Sequence, residues 1–137
     1  MTDVLRARHV HDTHVHFAEG GATHAIDATP SFWPDLVSGN RRELEQGRLM
    51  THGEFAKDWD SWEMHPNGDE LVLLLSGSVT FVLELDGKEH ELPLNTTGAF
   101  AIIPRCTWHT ARTRTACKML FVTPGRGTEH RSAAQKR

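Results

Sequence analysis

Between Trp62 and Gly77 the chain reads WEMHPNGDELVLLLSG, and three of these residues could act together on one ion. Glu63 and His65 lie two apart at the end of a predicted strand, so their side chains share a face. Pro66-Asn67-Gly68-Asp69 has the composition of a turn, because proline cannot continue a ladder and Asn-Gly accepts positive φ at low cost. Glu70 opens a second predicted strand, and an antiparallel hairpin would bring it beside His65. Two carboxylates and an imidazole next to an apolar strand are costly to bury without a partner. A divalent metal ion is the simplest partner.

The elements that must position these groups are short strands. Leu71 to Leu75 is a continuous apolar run closed by Ser76-Gly77. Ser78 to Leu85 and Lys88 to Leu92 flank Asp86-Gly87, a strong two-residue hairpin signal. Gly98 to Ile103, His109 to Thr113 and Cys117 to Thr123 are three further strands, with Pro93 to Thr97 as a loop. Upstream, Arg48 to Ala56 and Ser61 to His65 lead into the chemistry-bearing stretch, with Lys57-Asp58-Trp59-Asp60 as a turn. Near ten short strands joined by Gly, Pro and Asp turns predict a sandwich or barrel.

The flanks are less regular. His14-Val15-His16 reads as an edge strand with exposed imidazoles and no metal role, and Ala22 to Ala28 as a weak strand. Thr29 to Leu36 carries two prolines, which predict an extended or turning segment. Its Phe32 and Trp33 would cover one end of the barrel or meet a second subunit. Asn40-Arg41-Arg42-Glu43 has capping-box spacing, predicting one or two helical turns ended by Gly47. His52 is ambiguous: it reads first as a surface residue, with a cavity-facing polar group as the alternative. Gly125 to Arg137 is basic and lacks apolar periodicity, so it is expected to be largely disordered.

Downstream, Gly98, Pro104 and His109 complete a pattern. The chain resembles the cupins, which carry the linked motifs G-x5-H-x-H-x3–4-E-x6-G and G-x5-P-x-G-x2-H-x3-N. His65, Glu70 and Gly77 fit the first, and Gly98, Pro104 and His109 fit the second, so six of the ten fixed positions match at the family's spacing. Lys57, Glu63, Cys106 and Thr113 are the four departures. Motifs and intervening strands cover about half the chain. The resemblance implies an all-β, double-stranded β-helix or jelly-roll barrel with one short helix. The barrel would run from 48 to 124, after an N-terminal extension over 1–47 and before the tail over 125–137.

The resemblance also implies one divalent metal ion at Glu63, His65, Glu70 and His109. Glu63 stands where the family has its first histidine. Either it is a fourth ligand, giving two His and two Glu, or it stays off the metal. The second case leaves a two-His, one-carboxylate triad and makes Glu63 a catalytic base whose pKa burial would tune. The oxygen-rich set favours Fe(II), Mn(II), Ni(II) or Zn(II) over Cu(I). Cys106 would be a small buried thiol in place of glycine, and of Arg105, Arg112 and Arg114 only Arg105 lies in a loop next to the site. Trp62 and Met64 point to the outer face and need cover, and Trp108 points away from the metal if its strand has already begun.

With 137 residues the chain is one domain by length, and its net charge of −3 offers no basic face for nucleic acid. Its two cysteines make no disulfide framework, and no apolar run approaches the ~20 residues a bilayer span needs. No secretory h-region is visible, so a cytoplasmic protein away from membranes is expected. The functional expectation is a metal-dependent enzyme of dioxygenase type acting on a small polar or anionic substrate. A metal-dependent isomerase or lyase and a non-catalytic small-ligand binder are the alternatives. A homodimer is the assembly the resemblance implies.

Overall fold

The structure is a computed structural model and describes residues 5–133. Eleven strands are present among them, one α-helix and one turn of 3₁₀ helix. In chain order these are β1 (Thr13–Phe17), β2 (Thr23–Asp27), α1 (Phe32–Val37), the 3₁₀ turn (Arg42–Glu45), β3 (Arg48–Phe55), β4 (Ser61–Met64) and β5 (Glu70–Ser76). Then come β6 (Val79–Leu85), β7 (Lys88–Leu94), β8 (Phe100–Ile103), β9 (His109–Arg112), β10 (Cys117–Pro124) and β11 (Glu129–Ser132). They form two antiparallel sheets, a six-stranded one in the order β2-β1-β3-β10-β5-β8 and a five-stranded one in the order β11-β4-β9-β6-β7. This is the expected jelly roll. No helix among the described residues is long and apolar enough to cross a membrane.

The core lies between the sheets. The apolar run of β5 resolves into alternation: Glu70, Val72 and Leu74 are buried, while Leu71, Leu73 and Leu75 are half-buried on the other face. Val72 and Leu74 meet Phe81 from β6, Ile103 from β8 and Met119 from β10, all with almost no exposed surface. Glu70 is thus in phase with the core, which forces its carboxylate inward. Asp86 and Gly87 turn β6 into β7 with φ of 54° and 76°, as the Asp-Gly signal required.

The N-terminal region differs from expectation. Thr29 to Leu36 contains a helix, because Pro34 falls in the first turn of α1, where its missing N–H has no intrahelical partner to lose. Phe32 is fully buried with Leu44 and Leu49 in a second small cluster, so it is not a subunit contact. The segment from Arg42 is a single 3₁₀ turn with no side-chain cap, and Gly47 follows at φ 72°. β1 is flanked by β2 and β3, so it is not an edge strand. His14 and His16 are both buried. The His16 ring is satisfied by the Gln46 carbonyl at 2.7 Å, and the His14 ring packs on Phe32 at 4.3 Å between centroids.

His14 carries a testable consequence. Its pKa is lowered, by burial first and by neighbouring His52 second. A depressed folded pKa contributes stability above the ordinary imidazole range, and that stability is lost as pH falls through the folded value. Thermal melts of metal-free protein between pH 7 and 5 should therefore show a smaller loss in His14→Leu than in the wild type.

The C-terminal expectation is also corrected. Residues after Pro124 include β11, which pairs with β4 in the register His130↔Glu63 and Arg131↔Trp62. The Arg131 guanidinium lies 4.5 Å from the Trp108 ring and 5.4 Å from the Trp62 ring, and 3.1 Å from Glu84. Cation–π contact and an ion pair hold this strand, and neither leaves an apolar periodicity to read. The same contact supplies cover for Trp62. Residues 134–137 lie outside the described part.

Candidate metal centre

Glu63 is the register partner of His109 across β4 and β9, so the two side chains share one face of the five-stranded sheet. His65 lies just past β4 on the same face as Glu63. Glu70 comes from the other sheet. The expected hairpin is therefore a crossing: β4 and β5 sit in different sheets, and Pro66 to Asp69 carries the chain between them. Glu70 faces His65 across the barrel and not along a ladder. The turn before β9 is tied to this crossing, since the Cys106 N–H donates to the His65 carbonyl at 2.9 Å and the Arg105 N–H to Asp69 Oδ1 at 2.8 Å.

One ligand atom from each of Glu63, His65, Glu70 and His109 lies within 4.8 Å of the other three. Glu70 Oε1 is 3.0 Å from His109 Nε2 and 3.3 Å from His65 Nε2, and Glu63 Oε2 is 3.9 and 3.8 Å from the same two nitrogens. His65, Glu70 and His109 are almost wholly buried, whereas the Glu63 side chain keeps 25% of its surface exposed. Despite the short approaches, His65 Nε2, Glu70 Oε1 and His109 Nε2 have no hydrogen-bond partner. The three atoms crowd into one small volume together with Glu63 Oε2. Buried polar atoms are normally paired, so this triad fits a cation placed between them.

The far sides of the same groups are satisfied. His109 Nδ1–H donates to the Thr107 carbonyl at 3.0 Å, which puts the proton on Nδ1 and leaves a lone pair on Nε2. Thr123 Oγ1 donates to Glu70 Oε2 at 2.9 Å, so only Oε1 is left to face the cluster. Burial alone would push the Glu70 pKa up, but the His109 and His65 rings outweigh it and hold the carboxyl at about 2. Burial works to lower the His109 pKa, and Glu70, the Thr107 carbonyl and Glu63 overcome it and raise it. Glu70 is therefore a carboxylate at any physiological pH, as a ligand must be.

The cluster opens into a cavity of about 890 Å³. Leu49, Trp59 and Phe121 line it, together with Trp33 and Leu36 of α1. Arg41 and Arg126 are the arginines that reach it. Arg105 is exposed outside it, and Arg112 pairs with Glu89 at 3.6 Å. His52 lines the cavity, against the surface reading. Trp59, expected in a plain turn, packs edge-on to Phe81 at 5.7 Å and lies 6.5 Å from the His109 ring. Cys106 has φ 64°, which explains glycine at that motif position, but its thiol is exposed and not buried. Thr128 and His130 of the C-terminal segment also reach the site; only the alternation of Thr128, Glu129 and His130 hinted at it.

Over residues 50–123 the sequence matches the family model of the cupin domain, Cupin_2. That stretch is more than half of the chain and holds all four residues of the cluster. The chain belongs to the cupin family. Among solved structures this cupin is similar to an oxalate oxidase at 18% identity and a TM-score of 0.51, over 59% of this chain and 44% of that one. It is similar to the hydroxypropylphosphonic acid epoxidase of S. wedmorenis at 16% identity and a TM-score of 0.50, over 59% and 45%. A cupin-2 domain containing protein of Shewanella frigidimarina matches at 18% identity and a TM-score of 0.49, over 56% and 70%. Identities this low bear on the fold alone, and the chain spans less than half the length of the two enzymes. No curated protein matches it in sequence.

A cation that binds the folded site and not the unfolded chain must stabilise the fold. Adding Zn(II) or Co(II) at about 100 times its Kd should stabilise the metal-free protein by about 2.7 kcal/mol, read as a rise in Tm that a chelator reverses.

Proposed function

We propose that this cupin is a metal-dependent enzyme of dioxygenase type that holds one divalent ion, Fe(II), Mn(II), Ni(II) or Zn(II), on His65, Glu70, His109 and Glu63. The observation that carries the reading is the triad of buried, unpartnered atoms on His65, Glu70 and His109. When bound, such an ion supplies a Lewis acid and a template for an anionic substrate group. The chain's own residues do the rest. Glu70 and Glu63 offset the ion's charge, so the centre can accept an anionic or polar head group without strong excess charge on either side. Trp33, Leu36 and Phe121 offer an apolar surface to the remainder of the substrate, and the cavity volume is that of an ordinary small-molecule site.

The test is oxygen uptake by the iron-loaded protein with a panel of small carboxylates, enediols and catechols. Uptake that depends on substrate and metal supports the reading, and turnover of the same substrate under strictly anaerobic conditions contradicts it. A metal-dependent isomerase or lyase is the second reading, and the partial exposure of Glu63 favours it. Of the four cluster residues Glu63 alone is partly exposed at the cavity, where a base must be to take a proton from substrate. Binding of ligand without turnover under any metal would leave a non-catalytic binding cupin. For assembly we propose a homodimer that uses the edge strand β8, where Phe100 and Ile102 are exposed at 58% and 59%.

A further inference from the structure

The C-terminal segment, β11 and the loop before it, touches the cluster at two of its four residues. The Thr128 hydroxyl lies 2.9 Å from His65 Nδ1, on the side of the ring away from Nε2. His130 Nε2 lies 3.3 Å from Glu63 Oε1, the oxygen that does not face the two imidazoles. These are the residues whose outer atoms the barrel itself leaves unheld. His109 has the Thr107 carbonyl and Glu70 has Thr123, both from within the barrel.

We propose that β11 and the loop before it form a positioning clamp for the metal centre, with Thr128 and His130 as positioning residues. Thr128 accepts the His65 Nδ1–H, which fixes the tautomer that presents the Nε2 lone pair. His130 donates to Glu63 Oε1, which leaves Oε2 as the single oxygen offered to the ion and stops the carboxylate from swinging into the cavity. The inference rests on the metal-binding reading above.

The chain is built to hold this segment in place from both ends. On its outer face Arg131 bridges the Trp108 and Trp62 rings and the Glu84 carboxylate. At its start Asn67 Nδ2 donates to the Arg126 carbonyl at 3.1 Å, and Gly127 adopts φ 84°. That positive φ favours glycine, and the loop passes close enough to the Pro66-Asn67 turn that a Cβ on Gly127 would meet the movable Asn67 Nδ2 at 2.3 Å. That turn follows His65 directly. Clamp and ligand are thus locked to the same piece of backbone, and Thr128 meets the ring with little freedom.

The test uses the full chain with Co(II) as probe, measured by competition with a chromophoric chelator and by visible absorption at saturation. Thr128→Val removes the acceptor at nearly constant shape and should weaken Co(II) binding about 10-fold or more, the usual effect of losing an outer partner of a ligating histidine. Thr128→Ser should restore it. His130→Leu should change the Co(II) absorption bands, and His130→Gln, which keeps a donor, should return them toward wild type. The metal-free melting temperature of each variant should stay near wild type. The proposal is overturned if Thr128→Val and His130→Leu bind within twofold of wild type with unchanged bands. It is equally overturned if affinity falls only in step with the metal-free melting temperature, which would make the strand a general brace. Wild type that takes up no Co(II) at all would sink the metal reading and the clamp with it; wild-type binding with indifferent variants would sink the clamp alone.

Discussion

His109→Ala should purify as a folded barrel whose affinity for Zn(II) or Co(II) is down by more than about 100-fold, since loss of an outer partner alone costs about 10- to 100-fold. His109 is fully buried, its Nδ1 is committed to Thr107, and its Nε2 faces the shared centre, with Glu70 Oε1 3.0 Å away. Removing the ring takes away a ligand without freeing another, because Trp59 and Leu83 near it carry no donor for a metal. His65→Ala should behave alike. Titration with Co(II), with circular dichroism as the control for folding, measures it. Near-wild-type affinity in either variant would mean that the ion, if any, binds elsewhere.

Gly77→Ala should destabilise the protein by about 3 kcal/mol or more and lower Tm by roughly 10 °C, without bearing on the centre's ligands. Gly77 has φ 83°, and a Cβ there would stand 2.3 Å from the Ala116 carbonyl oxygen and 2.9 Å from Cys117 Cα. Both are backbone atoms, so no side chain can swing aside. Gly87 makes the control. Its φ is 76°, but nothing lies within 4 Å of the added carbon, so Gly87→Ala should lose only the conformational share, about 1 kcal/mol. Equal losses at the two positions would show that strain alone, and not the contact with Ala116, makes Gly77 necessary.

Turns carried most of what could be read in advance. Asp86-Gly87, Pro66 to Asp69 and Pro124 each mark an element boundary by local backbone chemistry, and local chemistry does not depend on what packs nearby. Of the four cluster residues, Glu63, His65 and Glu70 were legible from the turn they flank, and His109 from the resemblance to the cupin motifs. What could not be read are features made by distant partners. Glu70 was expected beside His65 on a hairpin, yet whether a turn pairs two strands or passes between sheets depends on the other nine strands. α1 was hidden because Pro34 argues against helix everywhere except the first turn, which is where the structure places it. β11 was hidden because Arg131, held by two tryptophans 23 and 69 residues away in sequence, takes the place of an apolar face. Buried His14 and His16 belong to the same class, since imidazoles on a strand read as exposed until Phe32 and Gln46 are placed against them.

The central claim is a single ion on Glu63, His65, Glu70 and His109, and metal content by elemental mass spectrometry tests it most directly. Untagged wild type and Glu63→Ala should be measured side by side after exposure to Fe(II), Mn(II), Ni(II) and Zn(II) in turn. Close to one ion per wild-type chain is the predicted result. A matching loss in Glu63→Ala makes Glu63 a ligand, and retention makes it a base or substrate contact beside a three-residue centre. Wild-type protein that carries no metal and takes up none of the four would contradict the account.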